Sequence, residues 1–438
     1  MKYPIGIQSF DRIVEDGYVY VDKTDLIYSL THESSIYFLS RPRRFGKSLL
    51  VSTLKNYYLG RKELFKGLKI ERMEQAWDVY PVFHLDFNGS NFAEADALQK
   101  RLHGYVAGWE ADYGLASEPD RLDLGGRFQR VLEAAHKQTG RRAVVLVDEY
   151  DKPILDVLDV DPVLEEHHRN VLKAFYSVFK VADEHLQFVL LTGVTKFSQV
   201  SVFSGFNQPD DISMDARYET LCGITQEELR HYFAEPIRDM AAVYRCTEEE
   251  MAQRLKEKYD GYHFSEKLTD VYNPFSLLNA FAKKNLRDYW FSSGTPTYLI
   301  RLLSHFRENI NELTGKYYRP EEFIDYKADV ERPLPMIYQS GYLTIKDYDM
   351  DFNTFLLDFP NNEVKSGFLT MLASSYLQSP EDTGGWVRDK LDGTADEALR
   401  QIEEKGYARE YASDARTMYK IGASFSSQTG TIEDWKTV

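Results

Sequence analysis

The sequence predicts an α/β fold in which a parallel sheet carries helices on both faces. Three observations predict it. Ile36-Tyr37-Phe38-Leu39 is an apolar run that leads into Gly46-Lys47-Ser48 and then into the helical pattern Leu49-Leu50-Val51-Ser52-Thr53-Leu54. Ala143-Val144-Val145-Leu146-Val147 is a second run, rich in valine and suited to a strand buried on both faces. Phe188-Val189-Leu190-Leu191 is a third, and helical patterns alternate with the runs, the order that builds parallel sheets.

The first run carries the chemistry. A strand, a tight loop and Gly-Lys-Ser opening a helix form the context of a phosphate-binding loop. Loop N–H groups and a helix N-terminus cradle an anion. The candidate nucleotide contacts are Arg43, Arg44, Phe45, Gly46, Lys47, Ser48 and Leu49. Lys47 would reach the terminal phosphates of ATP, and the Ser48 hydroxyl would sit on Mg²⁺. The match is imperfect, because Arg41 stands where such loops usually begin with glycine. The cluster Arg41-Pro42-Arg43-Arg44 is too short for a duplex footprint and suits nucleotide phosphates, which guanidinium groups grip bidentately.

The second run ends in Asp148-Glu149, at the strand end where open α/β sheets bind ligands. Asp148 suits the outer shell of Mg²⁺. Glu149 suits polarising an attacking water. Alone the pair reads equally well as a strand closing in solvated acids; the phosphate loop upstream tips the balance. The third run ends in Thr192-Gly193. If this strand lies between the other two, Thr192 is placed to sense the γ-phosphate, with Thr195 or Lys196 as alternatives. A plain Thr-Gly turn remains the competing reading.

The chain has 438 residues, 43% of them hydrophobic and 14% aromatic, so a packed core is expected. Its net charge of −16 opposes broad binding to nucleic acid, which needs Lys and Arg to displace counterions. No apolar run approaches the ~20 residues of a membrane span, and the first residues lack a signal-peptide core, so no membrane partner and a cytoplasmic location are expected. The two cysteines, Cys222 and Cys246, build neither a disulfide framework nor a thiolate zinc site.

Four regions follow from the pattern: an ATPase domain over 1–215, a helical lid over 216–319, a winged-helix-like region over 320–370 and a small α/β remnant over 371–438. Tyr18–Thr24 reads as a strand and turn, and Val82–Phe87 as a further sheet strand. Helices are expected near 94–112, 126–139 and 163–183. The polar stretch 200–215 reads as an exposed loop over the nucleotide site. Thr225-Gln226-Glu227-Glu228 is a capping box. His263 has no partner at ligand spacing and reads as a core or surface histidine. A helix over Ala395 to about Tyr407 and a strand over Lys420–Phe425 close the pattern.

Several runs together resemble one family. They are Gly6-Ile7-Gln8-Ser9-Phe10, Tyr20-Val21-Asp22-Lys23-Thr24, Arg41 to Ser48, Val147-Asp148-Glu149-Tyr150-Asp151-Lys152-Pro153, Tyr272-Asn273-Pro274-Phe275-Ser276 and Tyr289 to Pro296. Over nearly its whole length the chain resembles the bacterial AAA-ATPase-like family. The resemblance implies an N-terminal P-loop ATPase domain and a C-terminal PD-(D/E)XK nuclease-like domain, and in that family an arginine at the position of Arg41 is ordinary. It also implies a nuclease strand reading roughly Glu-Phe-Lys-Leu-Asp-Gly. This chain has Arg388-Asp389-Lys390-Leu391-Asp392-Gly393, with Arg388 where the catalytic Glu is expected. Lys390 remains, followed by Gln401 and Tyr407, and the Asp-bearing strand is not recognisable upstream. The tail reads as a remnant, or as a chain lacking an internal segment.

Three functions compete: an ATP-binding and ATP-hydrolysing regulator with a defective nuclease half; an ATP-gated DNA nuclease with substitute ligands such as Asp382 and Asp389; and a non-catalytic interaction protein held by bound nucleotide. Oligomeric state and any DNA or protein partner are left open by the sequence.

Overall fold

The computed structural model describes residues 1–116, 122–197, 209–293, 313–324, 333–368, 394–405, 421–425 and 432–437. The chain divides into two units, one of Met1–Arg307 with Gly315–Val364 and the other of Glu308–Thr314 with Lys365–Val438.

The first unit is built on a five-stranded sheet. Its strands are β1 (Ile36–Ser40), β2 (Val82–Asp86), β3 (Ala143–Asp148), β4 (Leu186–Gly193) and β5 (Asp210–Asp211), in the order β2-β3-β4-β1-β5. Every pairing is parallel. All six residues of β3 are buried, as its valines predict for a strand covered on both faces. The third apolar run is therefore central, between the phosphate-loop strand and the acid-bearing strand, as its proposed sensing role requires.

Helices cover the sheet. Lys47–Tyr58 follows the loop and buries Leu50, Val51 and Leu54. Ala97–Asp112 and Leu124–Thr139 are joined by a buried pair in which Arg127 donates to both oxygens of Glu110, at 2.9 and 2.6 Å. Pro162–Tyr176 and Val178–Val181 place Leu172, Phe175, Val178 and Phe179 in the core.

Two expectations are corrected. Tyr18–Lys23 is not a strand. It has no neighbouring strand among the described residues; Tyr18 N–H donates to Ile13 O and Val19 N–H to Lys2 O, each at 2.9 Å. Its alternation instead packs Val19 and Val21 on the helical region, while Asp22 Oδ1 accepts from Thr24 N at 2.9 Å and from Thr24 Oγ1 at 2.6 Å where the helix Thr24–Glu33 begins. The stretch 200–215 is not wholly a loop either. Residues 198–208 lie outside the described residues, but Asp210–Asp211 forms β5 and pairs with Tyr37 and Phe38. It covers the edge that β1 would otherwise expose.

Residues 224–292 are mainly helical. The expected capping box is present, Thr225 Oγ1 accepting from Glu228 N and Glu228 Oε2 from Thr225 N. The helix Gln226–Tyr244 loses helical geometry at Phe233, where Pro236 lies one turn on. Leu229, Phe233, Ile237, Leu255, Leu277 and Phe281 form this region's core. Next, Leu334–Gln339 and a three-stranded antiparallel sheet of Lys316–Tyr318, Thr344–Asp349 and Thr354–Asp358 give the helix and hairpin of the winged-helix-like region. His263 is a core histidine, its ring nitrogens bonded to Ile345 O and Asp270 Oδ1, each at 2.7 Å.

In the second unit, the helix Ala395–Lys405 accompanies an antiparallel pair, Ile421–Phe425 with Ile432–Thr437. The last strand was not expected from sequence. Arg388, Asp389 and Lys390 lie outside the described residues. Among the described residues no helix is long and apolar enough to cross a membrane.

Candidate nucleotide site

The loop after β1 turns into its helix through two left-handed residues, Arg44 at φ 69° and Gly46 at φ 96°. Glycine takes that geometry without steric cost; Arg44 does not. Gly46 is the N-cap of Lys47–Tyr58, so the helix's first N–H groups face the cleft above the sheet. Lys47 is nearly buried, and its Nζ donates to Arg41 O at 2.9 Å and Pro42 O at 3.2 Å. Ser48, Leu49, Gly46, Arg43 and Arg44 line the same cleft, which has a volume of about 380 Å³.

Glu149 lines this cleft too, one residue past β3 and in left-handed geometry at φ 55°. A non-glycine residue held there is strained, and such strain gathers at functional positions. Asp148 lies behind it, 2% exposed, accepting from the buried Thr192 hydroxyl at 2.7 Å. Ser48 and Asp148 offer one hydroxyl and one carboxylate. That donor set fits Mg²⁺, which keeps water and phosphate as most of its ligands.

Two expected contacts are placed differently. Arg41 does not face the cleft. It is 1% exposed, donating to Ser40 O at 2.9 Å, Ser213 O at 2.7 Å and Tyr218 O at 3.3 Å, with its guanidinium 4.1 Å from the centre of the Phe264 ring. The position that usually carries a small glycine here carries a side chain that ties β1 to the segment 213–218. Phe45 also turns inward, edge-on to Tyr262 at 4.8 Å and Phe264 at 5.5 Å; it can offer a ligand only its backbone.

The opposite wall comes from segments given no chemistry by the sequence reading. Ile5, Gly6, Ile7 and Gln8 line the cleft, as do Phe275 and Leu278 of the helix Pro274–Lys283, and Trp290. The Arg44 guanidinium stacks 4.9 Å from the Phe275 ring centre. Asn88 and Lys152 are among the other residues that line the cleft. Lys152 Nζ is held at 2.8 Å from both oxygens of Asp156. Asp151, fully buried, accepts from Val194 N at 2.9 Å and Thr195 N at 2.6 Å. Burial, aided by the charge of Glu149, pushes its carboxyl up to about 7. The runs that carry the family resemblance contain most of these residues, which was the available signal.

A phosphate loop opening a helix, an acidic pair at the end of β3, two strands from β1, and a five-stranded parallel sheet define a P-loop ATPase fold. The sequence matches the family model of predicted AAA-ATPases over residues 4–203 and that of the PD-(D/E)XK nuclease superfamily over residues 363–435. An uncharacterized protein in the vnfD 5′ region of Azotobacter chroococcum mcd 1 is 37% identical over 385 residues, spanning 86% of this chain and 71% of that protein. The chain belongs to the AAA-ATPase-like family. The Aeropyrum pernix ORC1 protein, solved in complex with DNA, aligns over 81% of this chain and 93% of that one at 9% identity and a TM-score of 0.27, a likeness too slight to bear on ligands.

Proposed function

We propose that the chain binds Mg·ATP in this cleft and hydrolyses it, acting as a regulatory ATPase whose nuclease-like end is degenerate. The observation that supports this best is the convergence of Lys47, Ser48 and Glu149 on one cleft that Ile5, Ile7, Phe275 and Leu278 also line. Phosphates would lie on the N–H groups of Gly46 to Leu49 with Lys47 as their point charge. The purine would lie between Ile5–Ile7 and Phe275–Leu278, which offer apolar faces and main-chain polar groups. Bound Mg²⁺, held by Ser48 and through water by Asp148, would offset phosphate charge. Glu149 would take the proton of the attacking water, and Thr192 would keep Asp148 oriented. Lys152 would add positive charge beside Glu149. The four regions expected from sequence remain our reading of the domain organisation.

Glu149→Gln tests this reading. It should retain ATP binding and slow steady-state hydrolysis at least ~100-fold, the scale of a lost general base. Undiminished turnover would assign the water to another residue. ATP binding without wild-type turnover would favour the non-catalytic interaction protein instead.

ATP-regulated DNA cleavage is the second reading, favoured by the nuclease-superfamily match over 363–435. Against it stands Arg388 where a metal-binding Glu is expected. An arginine there repels the ion that clustered carboxylates must hold.

A further inference from the structure

Trp290 touches both the phosphate loop and the segment where the first unit ends. Its indole N–H donates to Arg43 O at 3.0 Å. Its main-chain N–H is shared between Glu363 Oε1 at 2.7 Å and Ser276 Oγ at 3.1 Å. The ring packs on Tyr342 at 5.0 Å and is 6% exposed. Glu363 is 1% exposed, and burial pushes its carboxyl up to about 7. It lies in the helix 362–368, within which the first unit gives way to the second after Val364. Neighbouring residues pin the same segment: Lys346 Nζ donates to Pro360 O and Asn361 Nδ2 to Asp260 O, each at 2.8 Å.

The other end of the connection is sensitive to phosphate. Lys47 Nζ donates to the carbonyls of Arg41 and Pro42, the two residues before the carbonyl that Trp290 holds. A phosphate in the cradle competes for the same ammonium. Pro42 also has little room: a Cβ on Gly341 would come within 2.7 Å of its Cβ. A shift of the loop at Arg41–Arg43 is therefore felt by Trp290 and by Gly341. A ligand moves such an equilibrium only through contacts that differ between its states, and Lys47 supplies that difference.

We infer that Trp290 is a positioning residue that passes occupancy of the phosphate loop to Glu363, and so to the helix 362–368 entering the nuclease-like unit. The inference rests on the nucleotide reading above. It adds a route from that site to the helix 362–368.

The test is hydrogen exchange on the full chain with and without Mg·ATPγS. In the wild type, nucleotide protects residues 41–50 and raises exchange of 362–368 at least about fivefold, the lower range of ordinary coupling. Trp290→Phe keeps a ring against Tyr342 and lacks the indole N–H. Because Trp290 also lines the cleft, the comparison is made at saturating ATPγS, where this variant should protect 41–50 yet lose the change at 362–368. Glu363→Ala should behave alike, and Glu363→Gln, which keeps an oxygen acceptor, should restore the response. Should Trp290→Phe fold poorly, the two Glu363 variants decide alone. Persistence of the response in Trp290→Phe and Glu363→Ala overturns the relay. So does its absence in a wild type whose loop is protected. No protection of 41–50 in the wild type overturns the nucleotide reading and the relay with it.

Discussion

Replacing Arg41 by glycine gives the loop the residue it usually has, and the structure predicts harm. Three carbonyls, of Ser40, Ser213 and Tyr218, lose a charged donor, and Phe264 loses the guanidinium over its face. A buried acceptor left unpaired costs about 1–3 kcal/mol, and a desolvated cation over a ring contributes about 2 kcal/mol. Part of this is returned, because burial disfavours the charged guanidinium and lowers its pKa. A net loss of about 3–5 kcal/mol is expected from the unpaired acceptors and the lost ring contact, less that return. That is a large share of a usual stability of about 5–15 kcal/mol. Arg41→Lys should recover little, since an ammonium cannot span the three carbonyls. Urea unfolding followed by circular dichroism, together with ATP titration at low urea, separates the outcomes. A stability change below ~1 kcal/mol with a clear loss of ATP affinity would refute the reasoning and return Arg41 to the phosphates.

Two further outcomes follow from the site and the tail. Asp151 is favoured in its protonated form, its carboxyl raised to about 7 from an ordinary 3.8. The folded chain then holds a proton that the unfolded chain has released, so this group's contribution to stability falls as pH rises from about 4 to about 7. Asp151→Asn should gain stability relative to wild type across that window, read from melting temperatures at pH 5 and pH 8; a difference independent of pH would contradict it. The chain as written should not cut supercoiled or linear DNA with Mg²⁺ or Mn²⁺, with or without ATP. Cleavage that disappears in Lys390→Ala would promote the nuclease reading.

The sheet was legible because its signals are local. The valines of β3 and the apolar runs of β1 and β4 each declare a buried strand by themselves. Gly-Lys-Ser was legible because its function requires those residue types. Arg41 was misread because its charge suggested phosphate, while its partners lie 172 and 177 residues further on. Tyr18–Val21 alternates as a strand does, but pairing needs a neighbour that the pattern cannot supply. The wall formed by Ile5–Gln8 and Phe275 was hidden for another reason: apolar side chains that line a cleft resemble those that fill a core. Trp290 was visible only as part of a family motif, since its roles lie in one indole N–H and one main-chain N–H.

The account stands on the loop as a nucleotide cradle, and calorimetric titration of Mg·ATP into the wild type and Lys47→Ala tests it most directly. Lys47 sits beneath the loop with its ammonium on two carbonyls, so its removal takes away the phosphates' point charge. The account predicts saturable binding to the wild type and none measurable to the variant, with circular dichroism unchanged. Equal affinity of the two proteins for Mg·ATP would contradict it.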